Sequence, residues 1–118
     1  MAVDGGGGGM TRRQILKNEV KRITNVLIKK YRPQKIILFG SLVRPKVHQW
    51  SDIDLVVVKK TKKRIYDRIG EVVSLCDPEV AVDFIVYTPE EFEKMGKEEP
   101  FVYNEIVESG KILYEKSH

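Results

Sequence analysis

The sequence predicts an α/β (α+β) fold in which one mixed β-sheet is flanked by helices. Three observations carry this. Short apolar runs of strand length, Ile36 to Phe39, Ile53 to Val58 and Val80 to Tyr87, are separated by turn residues. Two longer stretches, Thr11 to Tyr31 and Arg64 to Cys76, instead space their apolar residues by three and four, the period of a helix with one buried face. The two kinds of segment alternate along 118 residues, which is enough for one domain with a modest core.

Each element has its own local reason. Met1 to Gly9, with five consecutive glycines, reads as a flexible leader, so the single folded domain is expected over residues 10–118. Ile15, Leu16, Val20, Ile23, Val26 and Leu27 form the apolar stripe of the first helix, and Pro33 stops it. Lys35 to Phe39 is a buried strand that ends at Gly40. Ser41 to Val43 begins a short helix, which Pro45 ends or bends, and Lys46 to Trp50 is a loop. Ile53 to Val58 is the second strand, and Lys59 to Lys63 is a charged connection. Ile65, Ile69, Val72, Val73 and Leu75 mark the second long helix, broken by Asp77-Pro78. Val80 to Tyr87 is the third strand. Thr88-Pro89-Glu90-Glu91 is a capping box with proline at the first helical position, so a short helix runs from Pro89 to about Gly96. Phe101 to Glu108 is a further helix closed by Gly110, and Ile112-Leu113-Tyr114 is a terminal edge strand.

Composition excludes several classes. Charged residues make up 32% and hydrophobic residues 42%, and no apolar run approaches the roughly 20 residues that span a bilayer. One cysteine, Cys76, rules out an internal disulfide and fits a reducing cytoplasm. The net charge of +4 is a weak footprint for nucleic acid, because the basic residues are spread along the chain from Arg12 to Lys30 and again from Lys59 to Arg64.

The chemistry lies in one constellation. Gly40-Ser41 is followed, after ten residues, by Asp52-Ile53-Asp54 at the head of an apolar run. Glycine lets a backbone approach a ligand closely, and serine adds a hydroxyl where the free N–H groups of a helix start favour anions. In a strand, alternate side chains share a face, so Asp52 and Asp54 emerge together while Ile53 and Leu55 point away. Two carboxylates that close repel unless a cation neutralises them, and Mg²⁺ prefers carboxylate oxygen together with substrate phosphate. Asp83, isolated in the apolar run Ala81 to Tyr87, is the candidate third acid. A phosphate-holding turn beside a two-metal site is the equipment for phosphoryl or nucleotidyl transfer.

In Gly40-Ser41, Ser51-Asp52-Ile53-Asp54-Leu55 and the later Asp83, the chain resembles the polymerase-β-like nucleotidyltransferase superfamily. More narrowly, it resembles the minimal nucleotidyltransferase (MNT) domain. The likeness runs from Met10 to Glu115, including the closing Glu108-Ser109-Gly110-Lys111-Ile112-Leu113-Tyr114 segment. It implies that Gly40 and Ser41 hold the β and γ phosphates of a nucleoside triphosphate, most often ATP. It implies that Asp52 and Asp54 bind two Mg²⁺ ions. Asp83 then binds the catalytic ion and helps deprotonate an acceptor hydroxyl, so that a nucleoside monophosphate is transferred and pyrophosphate leaves. Arg44 is a candidate triphosphate clamp, because guanidinium pairs bidentately with phosphate. Such domains often carry Arg-Gly at this point, whereas here Pro45 follows Arg44, so the loop differs in shape. The resemblance also implies a partner: minimal nucleotidyltransferases are commonly encoded beside a helical HEPN-type protein as toxin–antitoxin pairs, and can silence the toxin by adenylylating a tyrosine. RNA is another possible acceptor. A non-catalytic antitoxin that sequesters its partner, and a nucleic-acid-binding regulator that uses the basic face, are the alternatives.

Other residues have plainer readings. His48 and His118 lack a second ligand at metal spacing. Cys76 reads as packing, and Trp50 either stacks on a base or covers the sheet edge. Tyr31, Tyr66, Tyr87, Tyr103 and Tyr114 read mostly as core or rim. Lys59, Lys60, Lys62 and Lys63 form either a solvated loop or a gate that attracts triphosphate or an acidic partner.

Overall fold

A computed structural model of the protein describes residues 9–44 and 51–117. Residues 1–8, the expected loop at 46–50 with His48 and Trp50, Pro45 and His118 lie outside the described residues.

Helix α1, Arg12–Val26, continues as a wider π-type turn, Leu27–Tyr31. Thr11 caps it in a reciprocal box with Gln14: Gln14 N–H donates to the Thr11 hydroxyl at 3.1 Å, and Thr11 N–H donates to Gln14 Oε1 at 2.9 Å. Strand β1, Lys35–Phe39, leads into a single helical turn, Gly40–Leu42. Strand β2 is Ile53–Val58, helix α2 Ile65–Cys76 and strand β3 Val82–Tyr87. Helix α3, Pro89–Glu98, carries the expected Thr88/Glu91 capping box with Pro89 in its first turn, and runs two residues past Gly96. A π-type helix, α4, spans Val102–Glu108, and strand β4 is Lys111–Glu115. Every expected strand and helix is present, with ends shifted by a residue or two. The third strand starts later than expected, at Val82 rather than Val80.

The sheet order is β3-β2-β1-β4. β1 pairs antiparallel with both β2 and β4, and β2 pairs parallel with β3, so the sheet is mixed and β4 is an edge as expected. Alternation along the strands divides the core in two. Ile36, Leu38, Ile53, Leu55, Val57, Phe84 and Val86 pack against Leu16, Val20, Ile23 and Leu27 of the first helix and its extension, and against Val72 and Cys76 of α2. Ile37, Phe39, Val56 and Val58 pack on the opposite face, against Val102 and Ile106 of α4, with Phe92 and Met95 of α3 alongside. Because one residue of slip would exchange these faces, burial on both sides pins the register of β2.

Helix α2 departs from the apolar stripe read from its sequence. Its buried positions are Arg68, Val72 and Cys76, while Ile65 and Val73 are exposed. Arg68 is buried because its donors are met: Nε donates to Lys63 O at 2.7 Å, Nη1 to Val86 O at 3.1 Å, and the guanidinium forks onto Glu91 at 2.7 and 3.3 Å. One side chain thus ties α2, β3 and the first turn of α3. This pairing lowers the Glu91 pKa below its ordinary 4.5, the Arg68 hydrogen bond being the main cause. A carboxyl depressed on folding adds stability above its unfolded pKa, and that contribution disappears as pH falls through the folded value. Glu91→Gln is therefore expected to cost about 2 kcal/mol at pH 7, by leaving Arg68 without its counter-charge. The 40% exposure of Glu91 holds the figure below that of a dry pair. Urea unfolding should show the wild-type advantage closing below pH 4.5.

Tyr66 also departs from its expected place. It is 87% exposed, on the solvent side of the first turn of α2. Among the described residues, no helix is long and apolar enough to cross a membrane.

Candidate active site

The site lies where β1 ends and β2 and β3 begin. Phe39 is the register partner of Asp54, so the chain turns away immediately beyond that carboxylate. The turn needs glycine twice over. Gly40 has φ of +77°, in the left-handed region, and a Cβ there would lie 2.2 Å from Asp54 Oδ2. Its carbonyl accepts from the N–H groups of Val43 at 3.0 Å and Arg44 at 2.8 Å, closing a tight loop. Ser41 follows on the one-turn helix, whose first N–H groups have no partner within the helix.

Asp54 and Asp83 are direct partners in the parallel β2–β3 ladder, so both project from the same face at neighbouring strand positions, about 4.8 Å apart by strand spacing. The completely buried Ile53 and Leu55 hold the opposite face and fix this orientation. The Ser51 hydroxyl donates to Asp54 Oδ1 at 2.6 Å and aims the carboxylate.

Asp52 stands one residue before the strand. Its N–H donates to Ala81 O at 2.9 Å, and its Oδ2 accepts from Ala81 N–H at 3.3 Å, which fastens it to the approach of β3. Its Oδ1 accepts from Arg12 Nη2 at 2.6 Å. Two of the three aspartates therefore share a strand register, and the third is turned to an arginine. Among the described residues, no three His, Cys, Asp or Glu side chains gather closely enough to hold a metal together. The donor chemistry nonetheless fits a hard cation at Asp54 and Asp83, which offer neighbouring carboxylates, while Asp52 would have to exchange its contact with Arg12 to join them. Arg12 and Asp52 are both partly solvated, so their contact exchanges readily.

Arg44 is engaged away from the glycine turn. Its Nη1 donates to Ser109 Oγ at 3.0 Å and lies 3.6 Å from Glu105, on the α4–β4 connection. Residues that sequence reasoning passed over are Arg12 and Arg13. Arg12 meets Asp52, and Arg13 Nη2 donates to Leu42 O at 3.4 Å, so the first turn of α1 brings two guanidinium groups to the mouth of the site. Nothing local in the sequence signals this, since Arg12 meets a residue forty positions on. Lys59 to Lys63 follow the other end of β2 and cannot gate this site; Lys59 instead donates to Tyr31 O at 2.6 Å, capping the first helix. Cys76 is buried and its thiol is pushed up to about 11 by burial, which makes it packing rather than a nucleophile.

Compared with known families, residues 21–118 match the polymerase beta nucleotidyltransferase family. The chain belongs to that family. Gly40, Ser41, Arg44, Asp52, Asp54 and Asp83 all fall within the matched residues, whereas Arg12 and Arg13 precede them. Among solved structures, the nucleotidyltransferase fold recurs in a Sulfolobus solfataricus protein solved at 1.40 Å, whose own description as a nucleotidyltransferase is provisional. The two share 17% sequence identity, with a TM-score of 0.55 over 92% of each chain, a likeness of fold. Comparison with curated proteins returns no match.

Proposed function

We propose that this nucleotidyltransferase uses Mg²⁺ and a nucleoside triphosphate, ATP, to place a nucleoside monophosphate on a hydroxyl acceptor. The acceptor would be a tyrosine of a HEPN-type helical toxin, with this chain as the antitoxin and the cytoplasm as its location. The observation that carries the reading is the register match of Asp54 with Asp83 directly beside the glycine turn. Asp54, Asp83 and Asp52 would hold the ions. When bound, divalent cations neutralise phosphate charge and clamp the attacking and leaving oxygens. The chain's own contributions are distinct. Gly40 lets the turn close directly against the Asp54 carboxylate, and Ser41 would offer its hydroxyl and the free N–H groups of the turn to phosphate. Ser51 keeps the Asp54 carboxylate oriented, and Asp83 would accept the acceptor's proton. Arg12 supplies guanidinium charge at the rim, and Arg44 would have to leave Ser109 and Glu105 to join it.

Like charges on directly opposed strand positions are destabilising. Mg²⁺ should therefore raise the thermal midpoint of the free protein, and Asp83→Asn should abolish the increment. Incubation with labelled ATP, Mg²⁺ and a co-encoded helical protein tests the transfer itself, by a mass increase of one adenylyl group on the partner. A partner held tightly but left unmodified would instead support sequestration without turnover. That second reading is favoured by the contact of Arg12 with Asp52.

A further inference from the structure

At the end of the sheet remote from the aspartates, three segments converge that are far apart in sequence: the last turn of the first helix, the β2–α2 connection and the end of β4. Lys59 links the first two through its bonds to Tyr31 O and Arg32 O. Lys116 N–H donates to Gln34 O at 2.8 Å and brings in the third. Lys29, Arg32 and Lys116 line a pocket of about 390 Å³ with Ile28, Pro33 and Tyr114, and no carboxylate lines it. In the β2–α2 connection at the same end of the sheet, Lys60, Lys62 and Arg64 are exposed. None of these six cations has an ion pair among the described residues.

Helix stability does not account for this charge. Cations near the C-terminal end of the first helix suit its dipole, but Lys62 and Arg64 sit at the start of α2, where positive charge is unfavourable. The same turn of α2 exposes Ile65 and Tyr66 to solvent, the tyrosine almost completely. Unpaired cations at Lys62 and Arg64, immediately before the exposed ring of Tyr66, are the combination that tracks a phosphodiester backbone while stacking on a base. An acidic polypeptide would meet the charge but has no use for the ring.

We propose that this pole is a binding site for single-stranded polynucleotide, separate from the transfer site and independent of its chemistry. Lys59 lies five residues beyond Asp54, about 16 Å along β2, so a strand bound here occupies a different surface from the triphosphate.

The test is fluorescence anisotropy of the full chain with fluorescein-labelled oligo(U) and oligo(dT) of twenty nucleotides, across a salt series. Both should bind with an affinity that falls steeply with salt, and a preference for oligo(U) would identify RNA rather than DNA as the source of the strand. The triple variant Lys60→Glu, Lys62→Glu, Arg64→Glu should weaken binding at least tenfold and reduce the slope of log Kd against log salt by about 2, at roughly 0.7 per phosphate contact. Tyr66→Ala should weaken it at least fivefold with an unchanged slope. Asp54→Asn should bind as the wild type does, which separates this site from the transfer reading. Wild-type affinity in both the triple and Tyr66 variants overturns the proposal. So does displacement of oligo(U) by polyglutamate at equal charge together with indifference to Tyr66→Ala, since the face would then be a general polyanion surface.

Discussion

Gly40→Ala is expected to destabilise the protein by roughly 2–4 kcal/mol, from two separable causes. The left-handed φ of +77° costs an L-residue about 1–2 kcal/mol. The new methyl would also stand 2.2 Å from Asp54 Oδ2 and 2.9 Å from its Cγ, forcing the carboxylate or the turn to move, at about 1–2 kcal/mol for overpacking of this kind. The second cause disappears if the carboxylate is removed. In a double-mutant cycle followed by urea unfolding, Gly40→Ala should cost about 1–2 kcal/mol less in an Asp54→Ala background than in the wild type. Equal costs in the two backgrounds would mean that the turn does not sit against Asp54. Because the displaced carboxylate is the one proposed to hold the cation, the single variant should also lose the thermal shift produced by Mg²⁺.

The strands were legible because burial on both faces of a sheet requires continuous apolar runs, and Ile36 to Phe39 and Ile53 to Val58 are such runs. The capping boxes at Thr11 and Thr88 confine two helix starts by purely local chemistry. Asp83 could be singled out as an acid interrupting an apolar strand. Its position opposite Asp54 could not, since register arises when Ile53, Leu55, Phe84 and Val86 are buried together against the helices. Arg68 was illegible for a related reason. Its partners, the carbonyls of Lys63 and Val86 and the carboxylate of Glu91, come from three segments, and without them an arginine within an apolar period reads as surface. Basic residues that look dispersed along the chain are gathered at one pole only because β2 carries the chain away from the aspartates and the first helix ends at the same place. Arg12 is the converse case, a residue with no local signature that the fold delivers to the candidate site.

Asp54→Asn should separate function from folding most sharply. The amide matches the carboxylate in shape, keeps an oxygen to accept from Ser51, and leaves the packing of Ile53 and Leu55 untouched. With that packing and the Ser51 contact kept, the variant should remain folded in metal-free buffer. Nucleotidyl transfer should fall by about three orders of magnitude, the loss typical when a preorganised charge that stabilises transferring oxygens is taken away. Lost transfer in a protein that still folds would assign the loss to the carboxylate's charge rather than to the scaffold. Thermal unfolding and a labelled-nucleotide transfer assay on the same preparation would read both. Transfer persisting at the wild-type rate in a folded Asp54→Asn protein would remove Asp54 from the catalytic apparatus, and with it the pairing with Asp83 on which the proposed reaction depends.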